Sequence, residues 1–188
     1  ESLTLYSFSI ENWKRPKAEI NALMHIHSEY LVRIKPTLMR NNVKLLHLGH
    51  KKGLPAQVLN DLEDTMAETA DNTGMKLALA LNYSSRVEIV DAARNIARKV
   101  KEGELQTEDI DENCINQNLY TAGLNDPDLL IRTAKEMRIS NFLLWQISYS
   151  EFYVTKTCWP DFKKTSLDTA IRAYAKRIRR FGAVKTGS

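Results

Sequence analysis

The sequence predicts an α/β fold, with a mostly parallel central sheet flanked by helices. Three observations carry that prediction. Short apolar runs of strand length alternate along the chain with segments whose apolar residues recur at helical spacing, as right-handed strand–helix–strand crossovers demand. Met75 to Leu81 is one such run, continuous enough for a central strand covered on both faces. Asp126 to Ile131 is another, and it delivers Arg132 at its C-terminal end, where open α/β sheets place their ligand sites.

Taken in order, the segment LTLYSFS alternates apolar and polar residues and predicts a strand at the very start of the sequence. Ser9 to Pro16 reads as a polar loop into a helix, with Pro16 suited to the first turn. Ile20, Leu23, Met24, His27, Leu31 and Ile34 then recur at helical spacing up to Pro36, where the helix is expected to kink or stop. Val43 to Leu48, closed by Gly49, predicts a second strand. Pro55 opens the next helix, Val58, Leu59, Leu62 and Met66 mark its buried face, and Asn72-Thr73-Gly74 stops it. After the central strand a helix runs from about Ser84 to Val100, and Asp111 caps a short one carrying Ile115 and Leu119. The loop after Arg132 is expected to lead into a helix start, with Phe142 to Gln146 following. Glu151 to Val154 reads as a last strand, and Thr165-x-x-Asp168 as a capping box for a C-terminal helix through Arg180. No linker, repeat or low-complexity tract interrupts the pattern, so one domain over 1–188 is expected.

A chain of 188 residues that is 43% hydrophobic and 27% charged has the composition of a soluble globular domain with a sizeable core. The net charge of +4 and pI near 9.0 suit phosphate ligands or an anionic membrane surface. Cys114 and Cys158 have neither zinc-ligand nor disulfide-framework spacing, and the four histidines form no HExxH. No Gly-rich dinucleotide or P-loop fingerprint occurs, no apolar run approaches the roughly 20 residues of a membrane span, and basic residues do not interleave with aromatics as in nucleic-acid binders. A reducing, cytoplasmic setting with no nucleic-acid partner is the expectation.

The best chemistry lies between Asp126 and Phe162. Arg132 and Arg138, six residues apart, place two guanidinium forks in one loop with Ser140 and Asn141, a set suited to phosphate oxygens. Taken alone, the two arginines read equally as surface ion-pair formers. Glu151 is the one carboxylate in a run of Trp, Tyr, Phe and Leu, and such a group needs a partner.

Several separated motifs carry a resemblance: Tyr6-x-Phe8-Ser9-x-Glu11-Asn12-Trp13-x-Arg15-Pro16, Asn72-Thr73-Gly74, Asn82-Tyr83-x-x-Arg86, Ile131-Arg132-Thr133, Glu136-x-Arg138-Ile139-Ser140-Asn141-Phe142, Tyr149-x-Glu151, Trp159-Pro160-Asp161-Phe162 and Arg179-Arg180-Phe181-Gly182. From about Leu3 to Gly182 the sequence resembles the cis-prenyltransferases. The resemblance implies condensation of isopentenyl diphosphate with an allylic diphosphate, typically farnesyl diphosphate, to build an undecaprenyl-type diphosphate lipid carrier. It implies a hydrophobic tunnel for the growing chain; the apolar stripe between Ile20 and Ile34 reads first as core, with lining that tunnel as the alternative. Arg132, Arg138, Ile139 and Ser140 match the isopentenyl diphosphate site, Glu151 a Mg2+ ligand, and Ser9, Ile10, Glu11, Trp13 and Arg15 the substrate pocket. Asn12 matches the residue assigned to proton removal; a carboxamide is a poor base, so orienting a water or the diphosphate is the role expected of it. Arg180-x-Gly182 matches a motif that crosses a dimer interface, implying a homodimer, and the lipid product implies weak, peripheral membrane association.

Three departures accompany the match. Ala134-Lys135 and Ser84-Ser85 stand where the family has glycine pairs, and the family's Asp-Gly-Asn-Gly-Arg-Trp motif does not occur. The expectation is therefore a cis-prenyltransferase domain lacking that N-terminal segment. A noncatalytic partner subunit lending Arg180-x-Gly182 to a complete enzyme is the alternative.

Overall fold

The computed structural model describes residues 1–177, in two compact units, one spanning Glu1–Asn125 and one beginning at Asp126. In the first unit the order is β1 (Ser2–Ser9), a 3-10 turn (Ile10–Lys14), α1 (Lys17–Arg40), β2 (Lys44–Leu48), α2 (Ala56–Glu68), β3 (Lys76–Tyr83), α3 (Ser85–Lys101), a second 3-10 turn (Thr107–Asp109) and α4 (Glu112–Asn118). The sheet order is β1-β3-β2, and both pairings are parallel. β3 is central because it is the strand that can be buried on both faces: Ala78, Ala80, Leu81 and Tyr83 are fully covered. Parallel pairing puts all three strand C-termini at one edge, which sets the place of a site.

The core of this unit joins Phe8 of β1 and Leu45 and Leu81 of the other strands to Ile20, Met24, Leu31 and Leu38 of α1 and Val58 and Leu62 of α2. Along α1 the buried residues Met24, Leu31 and Leu38 recur every seven positions and keep one stripe on the sheet. Of the kink or stop expected at Pro36, the stop does not occur: α1 runs on to Arg40. The ring removes one intrahelical hydrogen bond, but Leu38 beyond it is buried in the core, and that packing outweighs the loss. Ser9 to Pro16 is likewise not a plain loop, since Ile10–Lys14 forms a 3-10 turn and Pro16 is the cap of α1 rather than its first residue.

The second unit holds β4 (Leu129–Arg132), β5 (Glu151–Val154), a 3-10 turn (Trp159–Asp161) and α5 (Lys164–Ala175). β4 and β5 pair in parallel, Leu129 opposite Glu151 and Arg132 opposite Val154. No helix follows the Arg132 loop: residues 133–150 are turns and bends, with Ser140, Asn141 and Leu143 at φ of 50°, 63° and 48°. Left-handed residues cannot continue a right-handed helix, so no helix N-terminus stands behind Arg138. The capping box is also corrected. α5 is capped by Lys163, which places Thr165 inside the first turn, where its backbone oxygen accepts from the Thr169 hydroxyl at 2.8 Å. Among the described residues α5 ends at Ala175; Arg180 and Gly182 lie outside them.

Candidate active site

At the C-terminal edge of the first sheet, β1 breaks register after Tyr6 and turns into the 3-10 segment. Irregularities of this kind re-aim side chains at sheet ends. Here the turn is tied locally: Asn12 Oδ1 accepts from the Ser9 N–H at 3.0 Å, and the Arg15 N–H donates to Asn12 O at 3.0 Å. With its oxygen engaged, Asn12 has its side-chain nitrogen, a donor, left to offer. Trp13 packs edge-on to Phe8, ring centres 5.0 Å apart, and its indole N–H donates to Asn82 Oδ1 at 2.7 Å. Arg15 is exposed and pairs with Glu19 at 2.7 Å, one helical turn along; Glu11 is exposed, and Ser9 and Ile10 are half-buried. Four of the six expected residues of this segment are thus held on one short turn, with Ser9 as its N-cap and Arg15 as its C-cap.

Beside it lies a polar network that sequence reasoning missed. Asp91 of α3 accepts from Tyr120 Oη at 2.5 Å, sits 2.6 Å from His50 Nε2, and meets Arg94 at 3.2 Å. Burial pushes the Asp91 carboxyl up, but the hydrogen bonds from Tyr120 and His50 outweigh it and hold it below the usual range. Burial, followed by the bond to Asp91, pushes the Tyr120 hydroxyl well above its ordinary value. The fully buried Glu88 accepts from Tyr83 Oη and, at 2.8 Å, from the Tyr120 N–H. Only the motif Asn82-Tyr83-x-x-Arg86 signalled this region, and it pointed to no role. Ser84 there is extended at φ −152°, a conformation open to any residue, so serine in place of glycine carries no backbone penalty.

In the second unit Arg132 closes β4, as expected, and its buried Nε has no hydrogen-bond partner among the described residues. A buried guanidinium nitrogen without an acceptor is an anomaly that an anion would resolve. Arg138 is exposed and pairs with Glu136 at 2.5 Å, while Ile139 and Ser140 follow in the same turn region. Ala134 and Lys135 both lie in the left-handed region, φ 57° and 56°, held by N–H bonds to Thr157 O at 2.9 Å and Thr155 O at 2.7 Å.

Glu151 does have the partner its surroundings called for: Arg177 Nη1 lies 2.5 Å from its Oε2. The β4–β5 register sets Glu151 opposite Leu129, however, so it lies at the N-terminal end of this parallel pair whereas Arg132 lies at the C-terminal end. Three residues of strand, about 10 Å, separate the two levels of this sheet. Among the described residues no group of three ligating side chains surrounds Glu151, which makes it a single oxygen donor.

A parallel α/β scaffold with a 3-10 turn at one strand end and an arginine-bearing loop at another offers donors suited to an anionic ligand. Residues 1–182 match the model of the family described as "Putative undecaprenyl diphosphate synthase", and the chain belongs to that family of prenyltransferases. It is 50% identical over 182 residues to an isoprenyl transferase of Bacillus subtilis (strain 168), covering 97% of this chain and 70% of that one. To an isoprenyl transferase of Porphyromonas gingivalis it is 49% identical, covering 97% and 72%. Among solved structures, lavandulyl diphosphate synthase from Lavandula x intermedia, in complex with dimethylallyl diphosphate, superposes with a TM-score of 0.94 at 38% identity, over 96% of this chain and 78% of that one. A probable undecaprenyl diphosphate synthase from Campylobacter jejuni gives 0.84 at 34% identity, over 97% and 83%. Among the described residues no helix is long and apolar enough to cross a membrane.

Proposed function

We propose that this prenyltransferase elongates an allylic diphosphate, farnesyl diphosphate as primer, with isopentenyl units to a long undecaprenyl-type diphosphate. The observation that carries the reading is Arg132: a guanidinium at a parallel strand's C-terminal end, its buried Nε unpaired, leading a loop with Arg138 and Ser140. That set is assigned to the diphosphate of isopentenyl diphosphate, with Ile139 beside it. The turn bearing Ser9, Ile10, Glu11, Asn12, Trp13 and Arg15 is assigned to the allylic substrate. Asn12 acts there as a donor through its side-chain nitrogen, orienting a diphosphate oxygen or a water, while the proton leaves to a stronger base than a carboxamide.

Glu151 fits Mg2+ as one hard oxygen ligand: Arg177 takes its Oε2, and the carboxylate has a second oxygen to offer. An ion that keeps several waters and takes one or two carboxylates plus substrate phosphates asks for no more from one residue. When bound, Mg2+ offsets the charge of the departing diphosphate. The growing apolar chain is assigned to a hydrophobic tunnel, the dimer to the Arg180-x-Gly182 segment, and membrane contact to the product's lipid character.

Purified protein with radiolabelled isopentenyl diphosphate, farnesyl diphosphate and Mg2+ should form long-chain lipid, sized by reverse-phase chromatography. Products stopping after one addition would refute chain elongation. A chain inert alone that raises the turnover of a complete relative would transfer it to the noncatalytic partner class.

A further inference from the structure

Asn82 lies near the C-terminal end of β3, 4% exposed and at φ 54°, a conformation that asparagine tolerates better than most residues. Every hydrogen-bonding atom of its carboxamide is used across two loops. Oδ1 accepts from the Trp13 indole at 2.7 Å, and Nδ2 donates to His50 O at 2.9 Å and Lys52 O at 3.1 Å. The orientation is unambiguous, because an indole N–H only donates and backbone carbonyls only accept. Its backbone oxygen accepts from the His50 N–H at 3.1 Å, and Gly49 permits the approach: a Cβ there would sit 2.8 Å from Asn82 O.

We infer that Asn82 is a positioning residue for substrate binding, clamping Trp13 and the His50–Lys52 turn so that the Ser9–Arg15 segment keeps one arrangement. The backbone of that segment is already tied through Ser9 and Asn12, so the indole is the large element whose placement Asn82 decides. The inference rests on the assignment of this turn to the allylic substrate. Aspartate retains an acceptor for the indole but repels the two carbonyls; leucine loses both halves of the clamp.

The test pairs kinetics with the indole N–H resonances of the full chain, of which there are three, from Trp13, Trp145 and Trp159. Trp13→Phe identifies its own signal by deleting it. Asn82→Leu should displace that signal, and both single variants should raise KM for the allylic diphosphate about tenfold with kcat within about threefold, the double variant being no worse. Asn82→Asp should keep the Trp13 resonance near its native position and hold KM within about threefold; it also carries the test if the leucine variant does not fold. A displaced indole with unchanged KM, or additive effects in the double variant, overturns the clamp. Failure of the underlying assignment reads differently: Trp13→Phe would then leave both kinetic constants unchanged, and allylic diphosphate would not move the indole signal.

Discussion

Replacing Ala134 and Lys135 together by glycine should make the protein more stable. Both residues are held at φ near 57°, where a Cβ crowds the following carbonyl at about 1–2 kcal/mol per residue. Glycine removes that crowding but returns roughly 0.4–1 kcal/mol per site through the greater freedom of the unfolded chain. The balance is about 1–2 kcal/mol of added stability for the pair. In a chain of this size that is a rise in melting temperature of roughly 2–8 °C. The bonds from these two N–H groups to Thr157 O and Thr155 O involve only backbone and survive the change. Thermal unfolding followed by circular dichroism measures it, with Lys135→Ala as a control that removes the charge and keeps the strain. A double-glycine variant that melts at or below the native temperature, with the control unchanged, would refute the strain.

Other expectations follow from single contacts. Gly49→Ala places a Cβ 2.4 Å from Leu81 O at φ 130°, and urea unfolding should show a loss of about 3 kcal/mol or more. Glu88→Gln turns an acceptor of the Tyr120 N–H into a group that is half donor in a fully buried site, so a loss of about 1–3 kcal/mol is expected in the same assay. Burial lowers the pKa of His27 and His47 below the ordinary 6.5, against the bonds to Leu23 O and Leu81 O. The folded state then binds fewer protons than the unfolded one, so their contribution is complete above pH 6.5 and falls as the pH drops through the folded values. The slope is at most about 1.4 kcal/mol per pH unit for each histidine, and His27→Gln with His47→Gln should flatten it in denaturant titrations between pH 7 and 5. Glu151→Gln should cut turnover at least about 100-fold while shifting stability by no more than about 1 kcal/mol, because its pair with Arg177 is partly exposed; a large fall in melting temperature would mark Glu151 as structural.

Strand and helix identities were legible because they rest on local periodicity. The strand from Met75, the alternation at Leu3 to Ser9 and the stripe from Ile20 all reappear within a few residues. Arg132 at a strand end was legible too, since strand direction is a property of contiguous residues, whereas the 3-10 turn at Ile10–Lys14 reads from the sequence as a loop. The misreadings share another cause. Pro36 and Thr165 carry real local signals, and in each case the surrounding packing or the actual cap position overrode them. The turns after Arg132 depend on consecutive left-handed residues, which no alanine, lysine or leucine advertises.

By itself the sequence determined the α/β class, the family and the residue types able to handle diphosphates. Tertiary structure decided which of them meet: that Trp13 is held by Asn82, 69 positions away, that Asp91 joins His50 to Tyr120, and that Glu151 takes Arg177 at the opposite end of the β4–β5 pair from Arg132. The reason is physical. A hydrogen-bonding period is written in neighbouring residues, whereas strand register and the meeting of loops at a sheet edge follow from burying one shared core, to which every part of the unit contributes.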